Sequence, residues 1–267
     1  MIRRLTETKL PQTLYKYRDW SNKFHRKLIS NQELYFAKPS DFNDPFDGNI
    51  PVRWDLMTEE DCFDKNLELL NTVHKDKDQE KVREYAWKVT KDKTLWHPEK
   101  LNKETSEQIN KWGTLIGLLA LSSVRNNILM WSHYANNHEG FTVGLDANSL
   151  ASKYDFDYIE PINYQLDYPT TVSGLDDTTE QFHKKSFYKS DLWEHEKEWR
   201  VSKNHIEKRT VKLNPETITE IIIGCCTNPK EEADIVKMSK KKLGNQIEIF
   251  KAVKSEEEFS LIMEKIN

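Results

Sequence analysis

The chain has 267 residues, 37% of them hydrophobic, 31% charged and 11% aromatic, with a formal net charge of -4. A chain of this length can bury a core without disulfides or structural metal, and its aromatics and mixed charge exclude wholesale disorder. A net negative balance supplies no global basic field of the kind that drives non-specific nucleic-acid binding. The run Lys237, Lys240, Lys241 and Lys242 reads as a solvated helix face.

Three cysteines, Cys62, Cys225 and Cys226, are too few and too odd in number for a disulfide framework. Adjacent cysteines on one strand would point to opposite faces and are not expected to bridge. No Cys/His spacing suits zinc, so no metal is expected. The N-terminus lacks an apolar signal core, and no run approaches the roughly 18 apolar residues of a membrane span. A cytoplasmic protein with no membrane partner is the expectation.

In chain order, Leu14, Lys16 and Arg18 alternate with Tyr15, Tyr17 and Asp19, which predicts a strand with Lys16 and Arg18 on one face. Ser21 is placed to cap a short helix through Lys27, and residues 33–37 form the next strand. Pro39 to Gly48 is dense in turn formers. Its Asn43, Asp44 and Asp47 are ligand-capable, although Asx-turns to their own backbone are the ordinary alternative.

Residues 55–112 read as a helical insertion. Thr58 with Asp61 makes a capping box. Phe63, Leu67, Leu70 and Val73 recur at helical spacing, as do Val82, Tyr85, Ala86 and Val89. Trp96, Leu101, Ile109 and Trp112 continue less regularly. Gly113 to Ser123 is a continuous apolar run that suits a strand buried on both faces. A helix from about Asn126 to Asn136 follows, with Ile128, Trp131 and Ala135 on one stripe. Gly140 returns the chain into the strand Phe141 to Asp146.

Residues 159–164 read as a strand and 175–179 as a loop. Glu180 to about Leu192 reads as helical. If the next segment is extended, Glu194, Glu196, Glu198 and Arg200 share one face, with His195, Trp199 and Val201 on the other; if helical, Glu194 and Glu198 are neighbours. Thr217 to Cys226 is predicted as a strand, Pro229 to about Leu243 as a helix and Gln246 to Val253 as a closing strand.

Glutamates on one buried face demand compensation, and Arg200 can neutralise one of them. A remaining glutamate facing a pocket could act as a base, or could steady positive charge at a glycosidic carbon. His133 and His138 are five residues apart, a poor spacing for a shared ligand pair on a helix. Trp131 and Tyr134 can line a core or a pocket. Phosphate-binding loops, dinucleotide fingerprints, nucleophile elbows and His-Glu-x-x-His are all absent from the sequence.

Five motifs, in this order, resemble the DUF2971 family of bacterial proteins: residues 14–18; residues 34–47; Met130-Trp-Ser-His-Tyr-Ala with His138 and Gly-Phe; Trp193-x-x-Glu196-x-Glu198-x-Arg200; and Glu220-Ile-Ile-Ile-Gly224. The family label implies no particular activity, and some members look like components of phage-defence loci. A second resemblance concerns chemistry. ADP-ribosyltransferase-like folds carry an Arg or His on the first core strand, then a polar strand, then Glu-x-Glu. Arg18, Ser122-Ser123 and Glu196-x-Glu198 follow a similar order, with the Ser pair far downstream of Arg18.

Together these readings predict one α+β domain over 1–267, with a mixed, mostly antiparallel central sheet, flanking helices and the 55–112 insertion. The expected function is an NAD-handling transferase or glycohydrolase, acting as an antiphage effector. NAD would be a substrate, and a protein or nucleic acid a further target. Glu198, Glu196 and His133 would be catalytic. Arg18, Tyr17, Asn43, Asp44, Trp131, Ser132, Tyr134, His138 and Arg200 would bind ligand. By the second resemblance, Arg18 would hold phosphate or ribose and Tyr134 would stack on nicotinamide. Two alternatives stand beside this: a non-catalytic sensor of a nucleotide or phage protein, and a magnesium nuclease using Asp44, Asp47, Glu196 and Glu198.

Overall fold

The computed structural model describes residues 7–95, 113–170 and 178–266. In chain order the elements are β1 (Thr13–Arg18), α1 (Lys27–Ser30), β2 (Glu33–Tyr35), α2 (Glu59–Val73), α3 (Gln79–Lys91), β3 (Gly117–Ser122), α4 (Ile128–Tyr134), β4 (Phe141–Asp146), α5 (Ala147–Lys153) and β5 (Tyr158–Pro161). There follow β6 (Asn163–Gln165), α6 (Thr178–Ser186), β7 (Tyr188–Ser190), β8 (Glu198–Lys203), β9 (Thr210–Lys212), β10 (Ile218–Ile223), α7 (Pro229–Leu243), β11 (Glu248–Lys254) and β12 (Leu261–Lys265). This is an α+β fold. No helix among the described residues is long and apolar enough to cross a membrane.

The chain divides into two compact units. The first comprises Met1–Phe42, Leu115–Leu166 and Lys189–Asn267. Among its described residues an eight-stranded sheet runs β12-β11-β10-β4-β1-β3-β8-β5. Its pairings are antiparallel except β10 with β11, which are parallel and joined through α7. One face packs Leu14, Val143, Trp199, Val201 and Ile221 against Leu28 and Ile29 of α1, Leu150 of α5 and Ile235 of α7. On the other face Tyr15, Tyr17 and Ile222 pack against Met130 and Trp131 of α4. Residues alternate between faces along a strand, so β1, β10 and β11 supply both cores.

The second unit takes Asn43–Thr114 and Asp167–Tyr188, and so holds the helical segment expected over 55–112. The Thr58–Asp61 capping box starts α2. Phe63, Leu70, Val82, Ala86 and Val89 form the core between α2 and α3, with Phe63 stacked on Trp87 at 4.1 Å. Val73 and Tyr85 share the helical period yet are 67% and 49% exposed. A two-helix hairpin buries a narrower stripe than the period alone suggests. Trp96, Leu101, Ile109, Trp112 and most of the loop at 175–179 lie outside the described residues.

Several boundaries differ from the sequence reading. The expected capping of a short helix by Ser21 does not occur: α1 spans Lys27–Ser30, and the Ser21 hydroxyl bonds Asp19. The helix expected to reach Leu192 stops at Ser186, and β7 and a 3-10 turn at Asp191–Glu196 follow. The strand expected to reach Cys226 ends at Ile223.

After α4, Asn136, Asn137 and His138 are all left-handed, with φ of 48, 51 and 69°. Three such residues in a row reverse the chain tightly. The turn is held from outside: Cys226 N–H donates to His138 O at 3.0 Å, and Gly224 N–H to Gly140 O at 2.9 Å. This approach needs glycine. A Cβ on Gly140 would run into the Arg18 carbonyl, and one on Gly224 into the His138 carbonyl. Forcing extra atoms into such a place costs about 1–3 kcal/mol. Gly224→Ala is therefore expected to lower the unfolding free energy by that amount, read from denaturant titration. Gly113→Ala, where a Cβ meets nothing within 4 Å, is expected to stay within about 0.5 kcal/mol of wild type.

Candidate functional site

The segment from Asp191 to Arg200 is neither wholly extended nor wholly helical. Its 3-10 turn ends in Lys197, which is left-handed at φ 45° and ψ 47°. That one residue turns outward, while the residues on either side turn in. Glu196 and Glu198 are 3% and 4% exposed. Glu194 stays at the surface, paired with Lys197 at 2.9 Å. Backbone bonds hold the kink: Ser122 Oγ donates to Glu196 O at 2.6 Å, and Ser123 N–H to Lys197 O at 3.0 Å.

Lys189 stands between the two carboxylates. Its Nζ lies 2.6 Å from Glu196 Oε2 and 3.3 Å from Glu198 Oε2. Arg200 grips Glu198 Oε1 from Nε at 2.8 Å and Nη2 at 2.7 Å. Tyr134 Oη donates to Glu196 Oε1 at 2.6 Å. All four carboxylate oxygens are thus engaged. The Lys189 ammonium also lies over the Trp193 ring at 4.8 Å, and the Arg200 guanidinium over Phe42 at 4.9 Å. Register sets Glu160 of β5 beside Arg200, and both are fully buried. Charges this deep cost several kcal/mol each unless paired and hydrogen-bonded, so the cluster stands only as a unit.

A further cation arrives from β1. Lys16 Nζ donates to the Ala120 carbonyl of β3 at 2.5 Å. The two strands are paired at Tyr15 and Ser122, and Lys16 spans the gap just beyond that pair. Burial drives its pKa well down and Arg18 adds to this, while Glu198 and Glu196 pull it back up. Tyr164 receives the Glu198 N–H at 2.8 Å, and burial pushes its phenol well up.

Arg18 does not join this group. Tyr15, Ser122 and Glu198 pair in one cross-strand row, and Arg18 starts from the opposite side of β1, with Leu14 and Lys16. Among the described residues its side chain makes no hydrogen bond or ion pair, and burial lowers its pKa to about 10. Its neighbour is His25, whose Nδ1 accepts the Asp19 N–H at 3.3 Å. Burial first and Arg18 next pull His25 down to about 4.

The other candidates scatter. Tyr17 donates to Val124 O at 2.8 Å and meets Trp131 edge-on at 5.3 Å. Trp131 is wholly buried and donates from its indole to Arg125 O at 2.9 Å. Both are core residues. Ser132 is half-buried and His133 exposed, the latter 6.4 Å from the His195 ring. His138 lies in the left-handed turn, its buried Nδ1 without a hydrogen-bond partner among the described residues. Asn43 and Asp44 belong to the second unit. There Asp44 Oδ1 accepts the Phe46 N–H at 2.9 Å in an Asx-turn, while the buried Oδ2 has no hydrogen-bond partner among the described residues. Among the described residues no group of three His, Cys, Asp or Glu side chains is disposed to hold a metal.

Lys189 and Lys16 escaped the sequence reading, as did a second buried carboxylate. Glu220 reaches over Gly144 to accept from Tyr15 Oη at 2.7 Å and pairs with Arg125 at 2.7 Å. A Cβ on Gly144 would meet Glu220 Cγ at 2.6 Å, so glycine makes that reach possible.

Two outcomes follow. Lys189→Met takes the paired cation from the buried Glu196 and leaves Glu198 to Arg200 alone, and is expected to cost about 3–5 kcal/mol in denaturant unfolding; Lys197→Met, at the exposed pair, is expected to cost no more than about 0.5 kcal/mol. For His25 the folded value lies below the ordinary one, so the unfolded chain binds the proton more tightly. Stability is then lost as pH falls from about 6.5 towards about 4. His25→Asn is expected to flatten that part of the melting-temperature profile, and an unchanged slope would refute the assignment.

Comparison with known proteins returns no matching curated protein and no matching solved structure. Residues 130–201 do match a family model, described as protein of unknown function (DUF2971). The DUF2971 resemblance therefore holds over the segment that runs from Met130 through Tyr134, Glu196, Glu198 and Arg200 to Val201.

Proposed function

We propose that the chain is an NAD-handling enzyme, a glycohydrolase or an ADP-ribosyltransferase-like transferase, with its chemistry at Glu196 and Glu198. One observation carries the reading: two carboxylates, a lysine and a tyrosine from α4 are bound into one cluster at the start of β8, the strand next to β3. Strands bearing Arg18, Ser122 and Glu198 are thus neighbours in the order β1-β3-β8.

In the reaction the bond between nicotinamide nitrogen and ribose C1′ breaks, and its electron pair leaves with nicotinamide. Positive charge grows on the ribose. Glu198 steadies that charge, Glu196 accepts a hydrogen bond from a ribose hydroxyl, and the half-buried Tyr134 ring offers a face to nicotinamide. Water then bonds to C1′ and loses a proton, giving ADP-ribose; a protein or nucleic-acid nucleophile in place of water gives transfer. An antiphage role rests on the family resemblance alone.

A second reading, a nucleotide sensor without turnover, is favoured by the engagement of all four carboxylate oxygens inside the protein. Incubation of the pure chain with NAD separates the two. Nicotinamide release is expected, falling by about 100-fold or more in Glu198→Gln, with Tyr134→Phe retained as a variant that keeps the ring. Thermal stabilisation by NAD without nicotinamide would select the sensor. Neither release nor stabilisation, with or without cell lysate, would end both readings.

A further inference from the structure

Cys225 and Cys226 follow β10 and occupy a turn rather than a strand. The alternation that separates neighbouring side chains in a strand no longer applies there, and the two Sγ atoms meet at 3.8 Å. Cys226 is exposed and Cys225 partly so, and both are free thiols. The surrounding backbone is fixed on both sides. Cys226 N–H donates to His138 O at 3.0 Å, and Thr227 Oγ1 donates to Glu139 O at 2.8 Å. The backbone that carries the two sulfurs is therefore held in place by the turn after α4.

We propose that Cys225 and Cys226 are a modification site, a reversible vicinal dithiol that hydroperoxides oxidise to a disulfide. The exposed Cys226 thiolate attacks one peroxide oxygen. The O–O bond breaks, hydroxide leaves and takes up a proton as water, and Cys226 becomes a sulfenic acid. The Cys225 sulfur then attacks the Cys226 sulfur, the S–O bond breaks and a second water leaves with the Cys225 proton. The dithiol loses two electrons and the peroxide gains them. Closure brings the sulfurs from 3.8 Å to about 2.0 Å. Consecutive Cα atoms sit about 3.8 Å apart, closer than most disulfides span, so the ring is strained and thiols reopen it readily. Closure must also move the Cys226 amide, whose acceptor is the left-handed turn after α4.

The test treats the full chain with a slight excess of hydrogen peroxide, blocks free thiols with iodoacetamide and maps peptides by mass spectrometry. The peptide spanning both cysteines is expected to lose two hydrogens and resist alkylation, and to recover both thiols with dithiothreitol. Cys226→Ser is expected to leave Cys225 alkylatable at the same dose. The buried Cys62, alkylated after denaturation, is the internal control in every sample. Three results would overturn the proposal: sulfinic acid on Cys226 beside an alkylatable Cys225, a disulfide joining two copies, or no reaction at either residue.

Discussion

Lys189 shares its ammonium between Glu196 and Glu198, at 2.6 and 3.3 Å, with side-chain exposures of 4% all round. At that depth a missing partner leaves a charge that nothing nearby can solvate. The constraint propagates outward. Both glutamates must face inward although only one residue separates them from each other across a kink. Lys197 supplies that kink by going left-handed, and Ser122 and Ser123 hold it by bonding the carbonyls of 196 and 197. Tyr134 completes Glu196, which fixes the end of α4. Asn127, at the other end of α4, caps the helix and donates to His195 O at 2.7 Å. Helix and turn are thereby tied at two points.

The sheet separates this polar group from a conventional core. On β8, Trp199 and Val201 join the apolar cluster, while Glu198 and Arg200 face the other way. On β1 the division is reversed: Lys16 and Arg18 emerge on the side of Leu14, and the tyrosines lie on the side of Glu198. Lys16 Nζ bonds the Ala120 carbonyl of β3 from that side.

Much of the frame was legible because period and burial coincide. The Thr58 box, the α7 helix after Pro229 and the alternation of β1 are local signals. The parallel β10–β11 pair follows from a strand, helix, strand order. Glu196, Glu198 and Arg200 could be singled out as a group, since acids beside tryptophans on a strand need an explanation. Lys189 could not. A lysine in a predicted amphipathic helix reads as solvated, and only the early stop at Ser186 puts it in a strand. Arg18 illustrates the opposite failure: its order along the chain was right for a shared site, but a period of two sets it on the other side of β1. The contact of Cys225 with Cys226 depended on where β10 ends, and strand ends are set by tertiary pairing.

Lys189, Glu196, Glu198 and Arg200 stand as one energetic unit. A double-mutant cycle on Lys189→Met and Glu196→Gln tests it most directly, with stability read from denaturant unfolding. Removing one partner exposes the cost of the other, so the double variant is expected to be more stable than the sum of the singles by about 1–3 kcal/mol. Additivity within about 0.5 kcal/mol would contradict the account.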